Sequence, residues 1–147
     1  MDRPLLFDQL ARHAMVFHAL LHDLSVDEHR WRSAPEKWCA LEIISHLYDE
    51  EREDFRARLQ HVLETPDQPM PKIDPVAWVA ERKYMEQDFG TVLENFHQHP
   101  TVGPVSCELL LTNWVAHDLH HIRQLNNLRY AYLNAHTTVP LDYAGTW

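Results

Sequence analysis

Glycine occurs only three times in 147 residues, and the prolines gather at 66–75 and around 100–104. Long segments free of both residues, with few turn residues between them, point to an all-α chain. Cysteine is nearly absent: Cys39 and Cys107 stand alone, and neither forms a CxxC motif. No apolar run approaches the roughly 20 residues that span a bilayer. The stretch Met1-Asp2-Arg3-Pro4 has no apolar signal-peptide core behind it. The expectation is a cytoplasmic protein with no membrane partner, in which both thiols stay reduced. Basic charge is also short, with 13 Lys and Arg against 22 Asp and Glu, a net charge of −9. Binding nucleic acid takes a basic face. The one basic cluster, Arg52, Arg56 and Arg58, is interleaved with Glu50, Glu51, Glu53 and Asp54. That pattern reads as a solvated helix surface and argues against a nucleic-acid partner.

What is present is enough for a folded domain. Hydrophobic residues make up 45% and charged residues 24%, which excludes a disordered chain. The length suits one domain with a real core. Helix 1 is expected from about Pro4 to Leu24, with Pro4 in its first turn. Ser25–Trp38 is a connection, since Pro35 forbids a continuous helix. Within it, Ser25 to Glu28 can cap a short turn, and Trp31 and Trp38 read as a loop folded over the end of the core. Helix 2 covers roughly Cys39–Leu63, with Ile43 or Ile44, Leu47, Phe55, Leu59 and Val62 inward. Glu64–Asp74 is a proline-rich crossover loop. Pro75 opens helix 3 with Asp74 as N-cap, and the helix is expected to run unbroken to about His99. Gly90 inside it suggests close packing against another helix. Helix 4 spans roughly 105–135. The tail, with Tyr143 and Trp147, is expected to pack on a surface, either the bundle's own or a neighbouring subunit's. The boundaries are a bundle over residues 1–135 and a tail over 136–147. Four such helices without a strand fit a four-helix bundle.

Chemistry concentrates on helix 4. One stripe runs Leu110, Trp114, His117, His121, Leu125 or Gln124, Leu128, in helical steps of three and four. Two histidines therefore interrupt a greasy face one turn apart. A pair at i, i+4 can aim two imidazole nitrogens at one point, the spacing used by metal sites on helices. Asp118 and His120 point elsewhere and are expected in solvent. Twelve histidines make a chance pair easy to find, and His18 and His22 form one beside the stripe of helix 1. Buried histidines must be hydrogen-bonded or metal-bound to offset desolvation. On helix 2, His46 lies at the edge of the inward face, with Asp49 and Glu50 close behind it. A lone histidine there is more often a satisfied core residue, and Glu50 by default a solvated charge. Cys39 lies seven residues before His46, about 10 Å along a helix, too far to share a metal with it.

These residues resemble a known family. Trp38, a helix start at Cys39-Ala40-Leu41, and then His46-Leu47-Tyr48-Asp49-Glu50-Glu51 resemble its His-Leu-x-Asp-x-Glu run. His117-Asp118-Leu119-His120-His121-Ile122-Arg123-Gln124 resembles its His-x-x-x-His-x-x-Gln signature, and Trp78–Tyr84 its third-helix start. The chain is similar, over about residues 3–135, to the DinB/YfiT-like superfamily. The resemblance implies an up-up-down-down four-helix bundle, with the loop at 64–75 as its long crossover, and a homodimer. It implies a divalent metal, zinc or nickel, held by His46, His117 and His121. Cys39 stands where relatives often carry Ser, which weakens the expected N-cap. Some relatives are S-transferases or isomerases that use a low-molecular-weight thiol such as bacillithiol or mycothiol. Three neutral imidazoles leave the +2 charge uncompensated and a coordination position open. Such a site lowers the pKa of a bound water or thiol. Asp49, Glu50 and Gln124 are the candidates for orienting ligands or relaying protons.

The implied function is a metal-dependent thiol S-transferase acting on a small electrophile. Three other readings stay open. One is a metal-dependent hydrolase using water. Another is a non-catalytic, metal-stabilised stress-response or binding module, its site closed by Glu50. The last is a helical dimer whose buried histidines bind no metal.

Overall fold

In a computed structural model the described residues are 3–65, 67–70, 72–97 and 108–141. All regular structure among them is helical. Helix α1 spans Arg3–Leu21, and its Leu6, Phe17 and Leu21 are fully buried. The short α2, Val26–Arg30, begins with a capping box: the Ser25 hydroxyl accepts from the Glu28 N–H while Glu28 accepts from the Ser25 N–H. The connection then folds over the end of the core as expected. Trp31 meets Tyr132 edge-on, with ring centroids 5.5 Å apart.

The second long helix is not regular. It runs as α3, Ala40–Asp49, then a π-helical stretch, Glu50–Phe55, then α4, Arg56–Glu64. Eight residues of α-helix would leave Phe55 about 80° round from Leu47. The wider π turns rotate less per residue, which lets Phe55 return to the interior beside Leu59. The same stretch draws Glu50 inside, so the solvated surface expected at 50–58 is corrected at that position. At the start of α3 the Cys39 side chain leaves capping to Glu42, whose Oε2 accepts from the Cys39 N–H at 3.0 Å. The buried carboxylate is in turn held by Arg32 at 2.7 Å.

Helix 3 is broken rather than continuous. It forms α5, Pro75–Glu81, a 3₁₀ turn, Tyr84–Glu86, and α6, Phe89–His97. Asp74 caps α5 through the Ala77 N–H, as expected. The break falls at Lys83, whose φ of 50° is left-handed and ends the helix. The bend turns Tyr84 fully inward. Asp88 restarts the helix by accepting from the Thr91 N–H at 2.8 Å. Gly90 therefore sits in a first turn, not in a helix interior. A methyl group there would meet only Asp88 Oδ1, at 3.6 Å, so the expected close helix contact is absent.

Helix α7 spans Glu108–His136. Its buried face runs Leu111, Trp114, Val115, Asp118, His121, Leu125 and Leu128. Trp114, His121, Leu125 and Leu128 of the expected stripe are on it, but Leu111 replaces Leu110 and Asp118 replaces His117. His117 therefore stands half-buried at the rim, and Asp118, expected in solvent, is 2% exposed. The tail residues Tyr143 and Trp147 lie outside the described residues.

Two apolar clusters make the core. One joins Phe17, Leu21, Ile43, Leu47, Phe96 and Leu125. The other joins Leu6, Phe55, Leu59, Leu111 and Trp114. Helices α1 and α7 run from the second cluster toward the first, and α3 to α4 runs the opposite way. The first two long helices are thus antiparallel, where an up-up order would make them parallel. Each fully buried Leu, Ile or Phe contributes about 1.5–3 kcal/mol. Between the clusters the interior is polar.

Candidate metal centre

Every long helix crosses that polar layer with an ionisable side chain. His13 comes from α1, His46, Asp49 and Glu50 from α3 and its π extension, and His117, Asp118 and His121 from α7. Each unsatisfied polar group in such a layer costs about 1–3 kcal/mol. Only a set of mutual partners, or a ligand, makes the layer tolerable.

The three histidines named from sequence converge. One nitrogen from each of His46, His117 and His121 lies within 4.8 Å of the other two. The His117 and His121 Nε2 atoms are 3.2 Å apart. Two imidazole nitrogens held tetrahedrally at a zinc-like bond length lie about 3.3 Å apart, so this pair already has the required separation. His46 Nδ1 is buried with no hydrogen-bond partner. Burial depresses all three imidazoles to a pKa of about 4, helped for each by the charge of a neighbouring imidazole. They are neutral at pH 7, the state in which imidazole binds a metal. The donor set fits a divalent ion of the zinc or nickel kind. The rings of His18 and His22 stack on each other with centroids 5.1 Å apart, and His22 Nδ1 meets the His18 carbonyl oxygen at 3.1 Å; neither belongs to the converging group.

The surroundings hold the rings in place. The Trp38 ring meets His46 at 4.9 Å, and Phe55 meets His117 at 5.2 Å while stacking on Trp114. His121 Nδ1 donates to Gln124 Oε1 at 2.7 Å. Glu50 approaches His46 Nε2 only to 3.9 Å, beyond hydrogen-bonding distance. Burial first, then the charge of Asp54 and a hydrogen bond to it, push the Glu50 carboxyl up to about 8. Its charged form is therefore disfavoured, and the carboxyl lies beside the cluster without bonding to it.

Asp49 belongs to the same layer but faces another partner. Its Oδ2 accepts from the Tyr84 hydroxyl at 2.8 Å and pairs with Arg82 at 2.8 Å. Arg82 also forks onto Glu53 and lies over the Trp78 ring, 4.1 Å from its centroid. Asp49 thereby ties α3 to the bend of helix 3. Sequence reasoning missed the set behind the histidines: His13 Nδ1 meets Asp118 Oδ2 at 3.1 Å, and Glu51 lies close enough to feel the Asp118 charge. Moving the α7 stripe by one residue would have brought Asp118 in. Nothing local in the sequence points to His13, 105 residues away.

The fold and this cluster define a protein that is helical throughout its described residues, with a largely buried three-histidine group that could hold a metal ion. The family model described as the DinB superfamily matches residues 9–125, and the chain belongs to that superfamily. No curated protein matches the chain. Among the described residues no helix is long and apolar enough to cross a membrane.

Proposed function

We propose that this DinB-superfamily protein binds one divalent ion, zinc or nickel, through His46, His117 and His121, and activates a low-molecular-weight thiol for transfer to a small electrophile. The observation that carries the reading is the convergence of three neutral imidazoles, His46 and His121 buried and His117 half-buried, with no carboxylate among the three. A divalent ion held there keeps its full charge and favours the deprotonated, nucleophilic form of a thiol. The chain's own groups supply the rest. Gln124 fixes the proton of His121 on Nδ1 and leaves Nε2 bare. Glu50, its proton affinity raised by burial, stands 3.9 Å from His46 as the candidate group for relaying a proton to a bound substrate. Trp38 and Phe55 wall two of the rings from water. Asp49 acts as a clamp through Tyr84 and Arg82.

The reading takes residues 1–135 as the working unit, a four-helix bundle of α1, α3–α4, α6 and α7, with 136–147 as a tail packed on it or on a partner subunit. It also takes the protein as a cytoplasmic homodimer. The 3.9 Å approach of Glu50 to His46 favours one competitor, a closed site that only stabilises the fold. The test is elemental analysis of untagged protein and of His121→Ala, followed by conjugation assays across thiols and electrophiles. Near one ion per chain, lost in the variant, with thiol-dependent turnover, supports the proposal. Metal without turnover leaves the stabilising role. Turnover of esters without thiol would indicate a hydrolase, and no metal at all overturns the reading.

A further inference from the structure

A cleft of about 440 Å³ opens beside the histidine cluster, lined in part by Lys37, Trp38, His120, Arg123 and Gln124. Three of these residues touch metal-ligand candidates. Trp38 meets His46 with ring centroids 4.9 Å apart, His120 meets His121 at 5.1 Å, and Gln124 bonds His121 at 2.7 Å. The cleft therefore shares a wall with the cluster.

Its charge is opposite to that of the chain. The net charge is −9, yet no lining residue among those described is acidic. Elsewhere the basic side chains are commonly taken up by carboxylates: Arg32 by Glu42, Arg58 by Asp54, Arg82 by Asp49 and Glu53, Arg129 by Asp23. Among the described residues neither Lys37 nor Arg123 has such a partner, and both are exposed on this one cleft. The guanidinium of Arg123 meets His120 Nδ1 at 3.5 Å, a ring nitrogen and not a carboxylate. Two cations without a carboxylate partner, beside the hydrogen-bonding side chains of Ser33, Gln124 and Asn127, form a receptor for a carboxylate. Arg offers a planar fork and Lys a point charge.

We propose that this cleft binds the carboxylate end of an acidic small molecule and directs its other end to the histidine cluster. The binding half stands by itself. The delivery half rests on the proposed metal-dependent thiol chemistry, so the thiol it takes is a carboxylate-bearing one. The anion is held at the rim by Lys37 and Arg123, while Trp38 and Gln124 form the floor shared with His46 and His121.

The test has two arms, both by calorimetric titration of the full chain. Succinate is titrated into wild type and into the double variant Lys37→Gln, Arg123→Gln, whose fold is checked by circular dichroism. Saturable binding that weakens with salt, and by about tenfold or more in the variant, is the expected result. No binding, or equal binding in both proteins, overturns the proposal. In the second arm 3-mercaptopropionate and 2-mercaptoethanol are compared on zinc-loaded protein. Wild type should prefer the carboxylate thiol by about tenfold, and the variant should lose that preference. Equal affinities in wild type overturn the delivery half. Failure to take up zinc sinks the metal reading and leaves the succinate arm to decide the cleft.

Discussion

Gln124 accepts the Nδ1 proton of His121 at 2.7 Å, one turn along the same helix. That bond decides which nitrogen of His121 is free, since the neutral ring carries one proton. The free nitrogen is Nε2, the atom 3.2 Å from His117. Gln124→Ala should therefore weaken zinc or nickel binding by about 10–100-fold. Gln124→Glu keeps an acceptor and should recover most of the affinity. A competition titration against a chelating dye measures both, and an unchanged affinity in the alanine variant would remove Gln124 from the site.

Asp49 and Tyr84 make the second prediction. The hydroxyl of the fully buried Tyr84 donates to Asp49, and burial first, then the neighbouring carboxylate, raise the phenol well above its usual range. Tyr84→Phe should cost about 1–3 kcal/mol of stability, read by urea denaturation. Metal stoichiometry should not change, because the clamp acts on the bend of helix 3 and not on the histidines. Loss of metal with little loss of stability would instead place Asp49 in the site.

Glu51 gives a pH signature. As a residue it is half-buried, yet its Oε2 is sealed from solvent, and burial first, then the charge of Asp118, push the carboxyl up to about 8. The unfolded value is 4.5. A group whose folded pKa is raised contributes stability that is present below the unfolded pKa and lost as pH rises through the folded one. The loss attached to Glu51 thus falls between about pH 4.5 and 8. Glu51→Gln carries no such charge. It should be more stable than wild type by about 1 kcal/mol or more at pH 9 and close to wild type near pH 5. Thermal melts at the two pH values test this, and a variant less stable at pH 9 would contradict it.

The sequence made the histidine site legible because its information is local. His117 and His121 lie one turn apart, and His46 sits inside a recognisable run. The all-helical class was legible for a similar reason, in the scarcity of glycine and the helical spacing. The break in helix 3 was not, because Lys83 carries neither of the residues that usually announce a break. It takes a left-handed backbone where Tyr84 and Arg82 are drawn to Asp49, a tertiary contact that local spacing does not encode. The π stretch escaped as well, since six consecutive charged or acidic positions after Tyr48 look like any solvated surface. Only the packing of Phe55 and Leu59 on α7 shows why the turn widens. The burial of Asp118 depended on His13, far away in the chain.

Metal removal gives the most direct reading of the cluster. Three neutral imidazoles are preorganised in the folded chain and scattered in the unfolded one, so a bound ion stabilises only the folded state. At a thousandfold excess over its dissociation constant it contributes about 4 kcal/mol. For a domain of this size that corresponds to a rise in Tm on the order of 8–16 °C. Zinc added to chelator-treated wild type should produce such a rise, and further chelator should reverse it. His46→Ala removes the one ligand that α3 supplies, leaving two on α7, so the zinc-dependent shift should shrink to a small fraction. A shift of the same size in the variant would move the ion away from this cluster. No shift in wild type would leave the three histidines as a buried polar layer between two apolar clusters, with no ligand to offset its cost.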